Sequence, residues 1–320
     1  MADYKLPEED ISQYMVAEAM RTWGGRWTEE KLDAFEKYVH AYLTIMNKNR
    51  EKYNWKLLYF DAFAGSGSRV VANSAEKPLM QALFQSEFLE EGQMNVYQGA
   101  AERVVRINDL QGFDQYYFVD LDKESNEMLR NKLAPFETEG RKFVFRNTDA
   151  NSIVKEMGKF LSQHKKEWKA LVLLDPFGMN LDWNTIESLK GAGVDLWILV
   201  PSGMIINRLL ERDGSLKHID RLKKYFGIPK EEIEKVFYRK RFSEPDLFGE
   251  RHELIEKVKN PIAKIAELYV SRLKTLFEFV TETPLVLENN HGLPIFHFVC
   301  ASNNPTAVKI AQDIIRKKQD

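Results

Sequence analysis

The run LVLLDPFG ends its apolar residues on Asp175-Pro176-Phe177-Gly178. A carboxylate at the mouth of a buried strand is poorly solvated, so it costs free energy unless hydrogen-bonded or used. The proline beside it fixes the turn and leaves backbone carbonyls pointing outward. The aromatic that follows can stack on a flat ring. An exocyclic amine on a nucleic-acid base is a weak nucleophile, because its lone pair is delocalised into the ring. Two acceptors, the Asp175 carboxylate and the Pro176 carbonyl, would hold the amine hydrogens and localise that pair. The amine could then attack a sulfonium methyl in line, with Phe177 stacked on the extruded base. Asp-Pro is also a common turn starter, and that structural alternative stands beside the chemical one.

Three further stretches end an apolar run on an acid or a glycine turn. In YFDAFAGSGSRV, Asp61 precedes Gly65-Ser66-Gly67. Glycines there allow positive φ and let a ligand approach the main chain. The dinucleotide fingerprint needs a third glycine, which is absent, so a NAD-type dehydrogenase is the weaker reading. In FVDLD, Asp120 is the first choice and Asp122 the second to accept from both hydroxyls of a ribose. Asp122 also suits the N-cap of the following KESNEMLR helix. In NTDAN, Asp149 either accepts from an adenine amino group or caps a helix. Phe63, Leu121 and Ala150 complete the expected S-adenosylmethionine site.

Strands and helices must alternate to bring such ends together. Thr28 reads as the N-cap of a helix in which Lys31 is at the third position and Leu32, Phe35, Val39, Tyr42, Leu43 and Met46 keep helical spacing. WKLLYFDAFAG, QYYFVDLD, RKFVFRNTDAN, KALVLLDPFG and VDLWILVP read as strands with helices between. PLVLEN and PIFHFVCAS form a closing antiparallel pair joined by NHGL. The pattern predicts an α/β fold, a doubly wound, mostly parallel seven-stranded sheet with an antiparallel C-terminal hairpin strand and extra helices. Such a sheet is the architecture of class I methyltransferases. The expected organisation is a helical segment over 1–54, a Rossmann-like core over 55–201 and 281–320, and a helical insert over 202–280. A further insertion over 70–98, with the probable helix KPLMQALFQSEFLEE, restores the usual spacing from Gly67 to Asp120. From Pro261 a helical stripe runs through Ile265, Tyr269, Leu273 and Phe277 to Val280.

The chain of 320 residues is 44% apolar and 12% aromatic, enough for a large core. Its net charge of −2 gives no overall basic field, so any nucleic-acid contact must be local. One cysteine, Cys300, excludes a disulfide framework and a cysteine-only metal site. The polar start and the absence of a long apolar run predict a cytoplasmic protein. His291 and His297 lack metal-ligand spacing, and no Walker lysine follows the glycine turn.

DAFAGSG, YYFVDLD, DAN, LLDPFG, VDLWILVP and the closing PIFHFVCASNNP…AVKIAQDII together resemble the three-Cys-motif partner proteins (TcmP). These are bacterial proteins with a class I methyltransferase-like fold. The similarity runs from the helix at Thr28 to the C-terminal helix, and the order and spacing of the motifs carry it. It implies a separate companion chain, radical-SAM-like and bearing three cysteines. DPFG is also similar to the corresponding box of tRNA guanine-N2 dimethyltransferases. Enzymes that methylate adenine or cytosine amines more often carry Asp/Asn-Pro-Pro-Tyr/Phe there. This chain lacks the second proline and has Gly178 after the aromatic, which leaves an amine target with an undetermined base.

KHIDRLKKYFGIPKEEIEKVFYRKRF mixes cations with aromatics, as a phosphate-binding surface would. Glu231, Glu232 and Glu234 among the cations make 230–236 read as a solvated helical face. Arg239, Lys240 and Arg241 are therefore the candidates for DNA or RNA phosphates, better presented by a loop than by a helix. Two functions stand against each other: amine methylation with Asp175, Pro176 and Phe177 at the reacting centre, or a catalytically silent scaffold that docks the three-Cys-motif companion.

Overall fold

A computed structural model describes residues 26–66, 68–69, 97–176, 178–244, 248 and 251–319. The predicted helix in 70–98, Gly67 and Phe177 lie outside the described residues. Helix α1 (Arg26–Tyr53) already includes Arg26, so Thr28 is a buried residue inside it and not its cap. Trp27, Lys31, Phe35, Tyr38 and Tyr42 form its buried stripe, at spacings of three and four residues.

Strand β1 (Lys56–Asp61) is buried from Leu57 onward, as expected of a central parallel strand covered on both faces. Next come α2 (Ala100–Arg106), β2 (Gln115–Asp120), α3 (Lys123–Thr138), β3 (Phe143–Asn147) and α4 (Ala150–Gln163). They are followed by β4 (Trp168–Leu174), α5 (Trp183–Glu187) and β5 (Val194–Val200). A π-turn at Ser202–Ile206 leads into α6 (Ile219–Phe226) and α7 (Lys230–Phe237), separated at Gly227, whose φ of 64° ends α6. Tyr238–Phe242 is a strand, β6, and not the loop expected there; it pairs antiparallel with β7 (Glu253–Lys257) as a separate ribbon. Tyr238 is buried and Arg239 to Phe242 are all exposed, which suits a ribbon with one docked root.

Helix α8 (Pro261–Leu273) stops before Phe279 and Val280, which form the short strand β8. Val280 thus only coincided with the helical stripe; in the fold it pairs with Ala301. β9 (Leu285–Glu288), β10 (Pro294–Ser302) and α9 (Pro305–Gln319) complete the chain. Asn304 Oδ1 accepts from Thr306 N at 3.0 Å, closing the start of α9.

The sheet order is β8-β10-β5-β4-β1-β2-β3, and β9 also pairs with β10. β8 and β9 are two pieces of one broken edge strand, since they meet different lengths of β10. β1 to β5 run parallel and β10 antiparallel to β5. This is the mostly parallel sheet expected from the sequence, with its reversed strand next to the edge. Helix α1 lies on the face carrying Tyr59, Trp197 and Phe298, which meet Phe35 at ring-centroid distances of 6.2, 6.2 and 6.3 Å. Arg103 of α2 binds Asp33 and Glu36 of α1 at 2.9 and 3.4 Å and also pairs with Glu29.

Candidate active site

The C-terminal ends of β3, β2, β1 and β4 stand side by side because these strands are parallel neighbours. Asp120 and Asp61 close β2 and β1, Asp175 directly follows β4, and Asp149 lies just beyond β3. All four predicted acids therefore share one edge of the sheet, where open α/β sheets bind ligands.

Asp61 is 2% exposed. Its Oδ1 accepts from Phe63 N at 3.1 Å and its Oδ2 from the Tyr59 hydroxyl at 3.2 Å. Burial pushes its carboxyl up to about 7, and the charge of Asp175 adds to the shift. The Phe63 and Tyr59 bonds and the Lys31 charge oppose it. Beyond Asp61, Ala62 N donates to Leu173 O at 3.2 Å and Ala64 N to Val119 O at 2.9 Å. The turn is thus stitched to both neighbouring strands. Gly65 follows with φ of 59°, and nothing stands within 4 Å of where a Cβ would be. A left-handed residue facing open space answers the need for bare backbone. Ser66 O accepts from Lys132 Nζ of α3 at 3.0 Å.

Asp120 receives two amides: Gly65 N to Oδ2 at 2.8 Å and Asp122 N to Oδ1 at 2.7 Å. Burial raises its carboxyl above the usual range, and the two amides pull against that. Each oxygen keeps acceptor capacity for a diol. Asp122 and Asp149 are the N-caps of α3 and α4, accepting from Ser125 N at 2.9 Å and Ser152 N at 3.0 Å. The capping alternative holds for both. Leu121, between Asp120 and Asp122, is 75% exposed at the strand mouth, and Ala150 is buried in the first turn of α4.

The partner that sequence reasoning missed is Lys31. Its ammonium, with the side chain 4% exposed, pairs with Asp175 Oδ2. The same ammonium lies 5.5 Å from the ring centroid of Trp27, which in turn meets Phe296 at 4.8 Å. A lysine inside the apolar stripe of α1, four residues from both Trp27 and Phe35, was the available signal. Asp175 Oδ1 has no hydrogen-bond partner among the described residues. Pro176 is buried. Gly178 has φ of 80°, and a Cβ there would lie 3.2 Å from Ile205 of the π-turn, so the two loops are in contact.

Arg239, Lys240 and Arg241 are not at this edge of the sheet; they lie on the β6–β7 ribbon. Among the described residues, no group of three or more His, Cys, Asp or Glu could hold a metal ion. No described helix is long and apolar enough to cross a membrane.

No family model matches the chain, and no curated protein does. Among solved structures the chain is similar to the Legionella pneumophila protein LPL1258 of family-model DUF519. Identity is 16% and the TM-score 0.42, over 88% of this chain and 99% of that one. It is similar to Trm1 from Pyrococcus horikoshii, solved with S-adenosyl-L-methionine, at 13% identity and a TM-score of 0.37. That match spans 89% of this chain and 58% of Trm1. The DszA carbon methyltransferase matches at 11% identity and a TM-score of 0.35, over 85% of this chain and 54% of that one. At such values a likeness transfers no chemistry from one protein to another.

Proposed function

We propose that the chain is an S-adenosylmethionine-dependent methyltransferase acting on an exocyclic amine of a nucleic-acid base. The observation that carries this reading is the row of acids at one sheet edge, with Gly65 bare beside Asp120. Asp61, buried with only neutral donors in hydrogen-bond contact, suits the methionine ammonium. Asp120 suits the ribose diol, and Leu121 offers an apolar surface for the adenine. Asp149 stays a candidate for the adenine amine through the lone pairs its cap leaves over. Bound S-adenosylmethionine would supply an electrophilic methyl.

In this reading Asp175 Oδ1 and the Pro176 carbonyl hold the substrate amine, while Phe177 stacks on its ring. Lys31 holds the Asp175 carboxylate in one rotamer, so Asp175 orients the amine as an acceptor. Methyl transfer would form the N–C bond as the sulfonium S–C bond breaks, and the surplus amine proton would leave to solvent. The segment 202–280 is the proposed substrate or partner surface.

The Lys31–Asp175 pair also favours a second reading, because one oxygen of the expected acceptor is already engaged. In that case the chain is a silent scaffold of the TcmP kind, docking a three-Cys-motif protein. Calorimetry with S-adenosylmethionine tests the first reading. Wild type should bind and Asp120→Ala should lose at least about tenfold in affinity, the worth of a charge-assisted hydrogen bond. No heat from the wild type would remove the cofactor assignment. Co-purification of a three-cysteine companion without cofactor binding would favour the scaffold.

A further inference from the structure

The ribbon of β6 and β7 is anchored to the segment that follows the π-turn. Lys257 of β7 donates to Asn207 O at 2.6 Å, Asn207 Oδ1 at 2.8 Å and Leu210 O at 2.6 Å. Asn207 directly follows the π-turn, whose Ile205 touches the Gly178 loop. Tyr238, opposite Lys257, donates to Glu211 O at 2.8 Å. The outer ends of both strands project into solvent, with every residue from Arg239 to Phe242 exposed.

Strand alternation sorts the three adjacent cations. Arg239 and Arg241 share one side of the ribbon; Lys240 shares the other with Phe242. Lys240 is neutralised there by Glu253 at 2.6 Å. On the first side, Arg241 meets Glu256 only at 3.4 Å. Arg239 leans back on α7, donating to Lys235 O at 2.8 Å, and lines a groove of about 530 Å³. Lys235, Val236 and Glu232 of α7 and Lys264 of α8 line the rest of that groove. Its three cations outnumber its one acid. Lys235 has no side-chain partner among the described residues, and Lys264 meets Glu267 in an exposed pair. Exposed pairs are worth about 0–1 kcal/mol, so a phosphate can displace them.

We infer that the groove between the ribbon and α7–α8 binds the phosphodiester backbone of a single-stranded nucleic acid, through Lys235, Arg239 and Lys264, continuing to Arg241. Lys240, on the opposite side and ion-paired, is not a contact. This rests on the nucleic-acid substrate proposed above and adds the path the strand takes. A single strand fits because its flexible backbone can reach cations that are spaced apart along an exposed groove.

The test is fluorescence anisotropy with labelled oligouridylate and oligothymidylate of equal length over a salt series. Arg239→Gln combined with Lys264→Gln should weaken binding about tenfold and flatten the salt slope by about 1.4. Lys240→Gln should change affinity less than about twofold. Unchanged melting temperature and unchanged S-adenosylmethionine binding establish that each variant is folded. Equal losses from both sides of the ribbon, or no loss from the double variant, overturn the inference while leaving methyl transfer intact. Wild type that binds neither oligonucleotide, or that binds an acidic peptide in their place, overturns it together with the nucleic-acid substrate. Absence of cofactor binding with the expected oligonucleotide pattern removes the methyltransferase reading and leaves the groove standing.

Discussion

Asp175 and Lys31 are each costly where they sit, and each makes the other tolerable. Removing one partner of a buried pair leaves an uncompensated charge, at about 3–5 kcal/mol. Asp175→Ala should therefore destabilise the protein by about 3 kcal/mol, since Asp175 keeps 20% of its side chain exposed. The same change with Lys31→Met should cost less than the sum of the two single variants, as a urea-denaturation cycle would reveal. Additive costs would mean that the two charges are independent. Activity lost in Asp175→Ala is therefore interpretable only beside the Asp175→Asn variant, which keeps an acceptor oxygen. Asp61 carries a second residue-level expectation. Its carboxyl, pushed up to about 7, is mostly neutral in mildly acidic solution. Affinity for S-adenosylmethionine should rise several-fold between about pH 6 and 7.5 as that carboxylate forms. Asp61→Asn should bind more weakly and with a flatter profile by calorimetry.

At the scale of elements, the π-turn after β5 links the site to the insert. Ser202 is fully buried, and its hydroxyl lies 2.6 Å from His297 Nδ1 on β10. A Cβ on Gly203 would come within 2.0 Å of Pro294 O, a backbone atom that cannot step aside. Gly203→Ala should cost about 1–3 kcal/mol by denaturant midpoint, by separating the turn from β10. Elements with strong patterns were legible beforehand: β1, β2, β4, β5 and β10 lie where their apolar runs stand. The ribbon was not legible. YRKRF has no apolar alternation, and its pairing partner ELIEK lies across a long connection.

At the scale of the whole molecule, two buried groups tilt stability in opposite directions. Asp61 holds its proton in the native state up to about 7, against about 3.9 unfolded. Its contribution is present below pH 4 and is lost as pH rises toward 7. His297 is pushed down to about 4 by burial, against 6.5 for a free imidazole. Its contribution is present above pH 6.5 and is lost as pH falls toward 4. Between about pH 4.5 and 6.5 the two slopes oppose each other. Asp61→Asn should make urea midpoints rise with pH across this window, and His297→Phe should make them fall. Matching slopes in both variants would contradict the assignment of these shifts to burial.

By itself the sequence determined the parallel sheet with its reversed strand and the placing of four acids at strand ends. Those features are local: apolar runs long enough for strands, turn residues after them, and helices between. It also offered Asp122 and Asp149 as caps, since capping depends on neighbours three residues away. Only the tertiary structure decided what faces Asp175. Lys31 is 144 positions away in the chain, on a helix whose rotation is set by the aromatic contacts of Phe35 and Tyr38 with the sheet. Likewise, strand pairing with Glu253–Lys257 decided which of three adjacent cations share a face. Long-range partners of this kind leave no periodic trace, because each satisfies a charge and not a repeating pattern of burial.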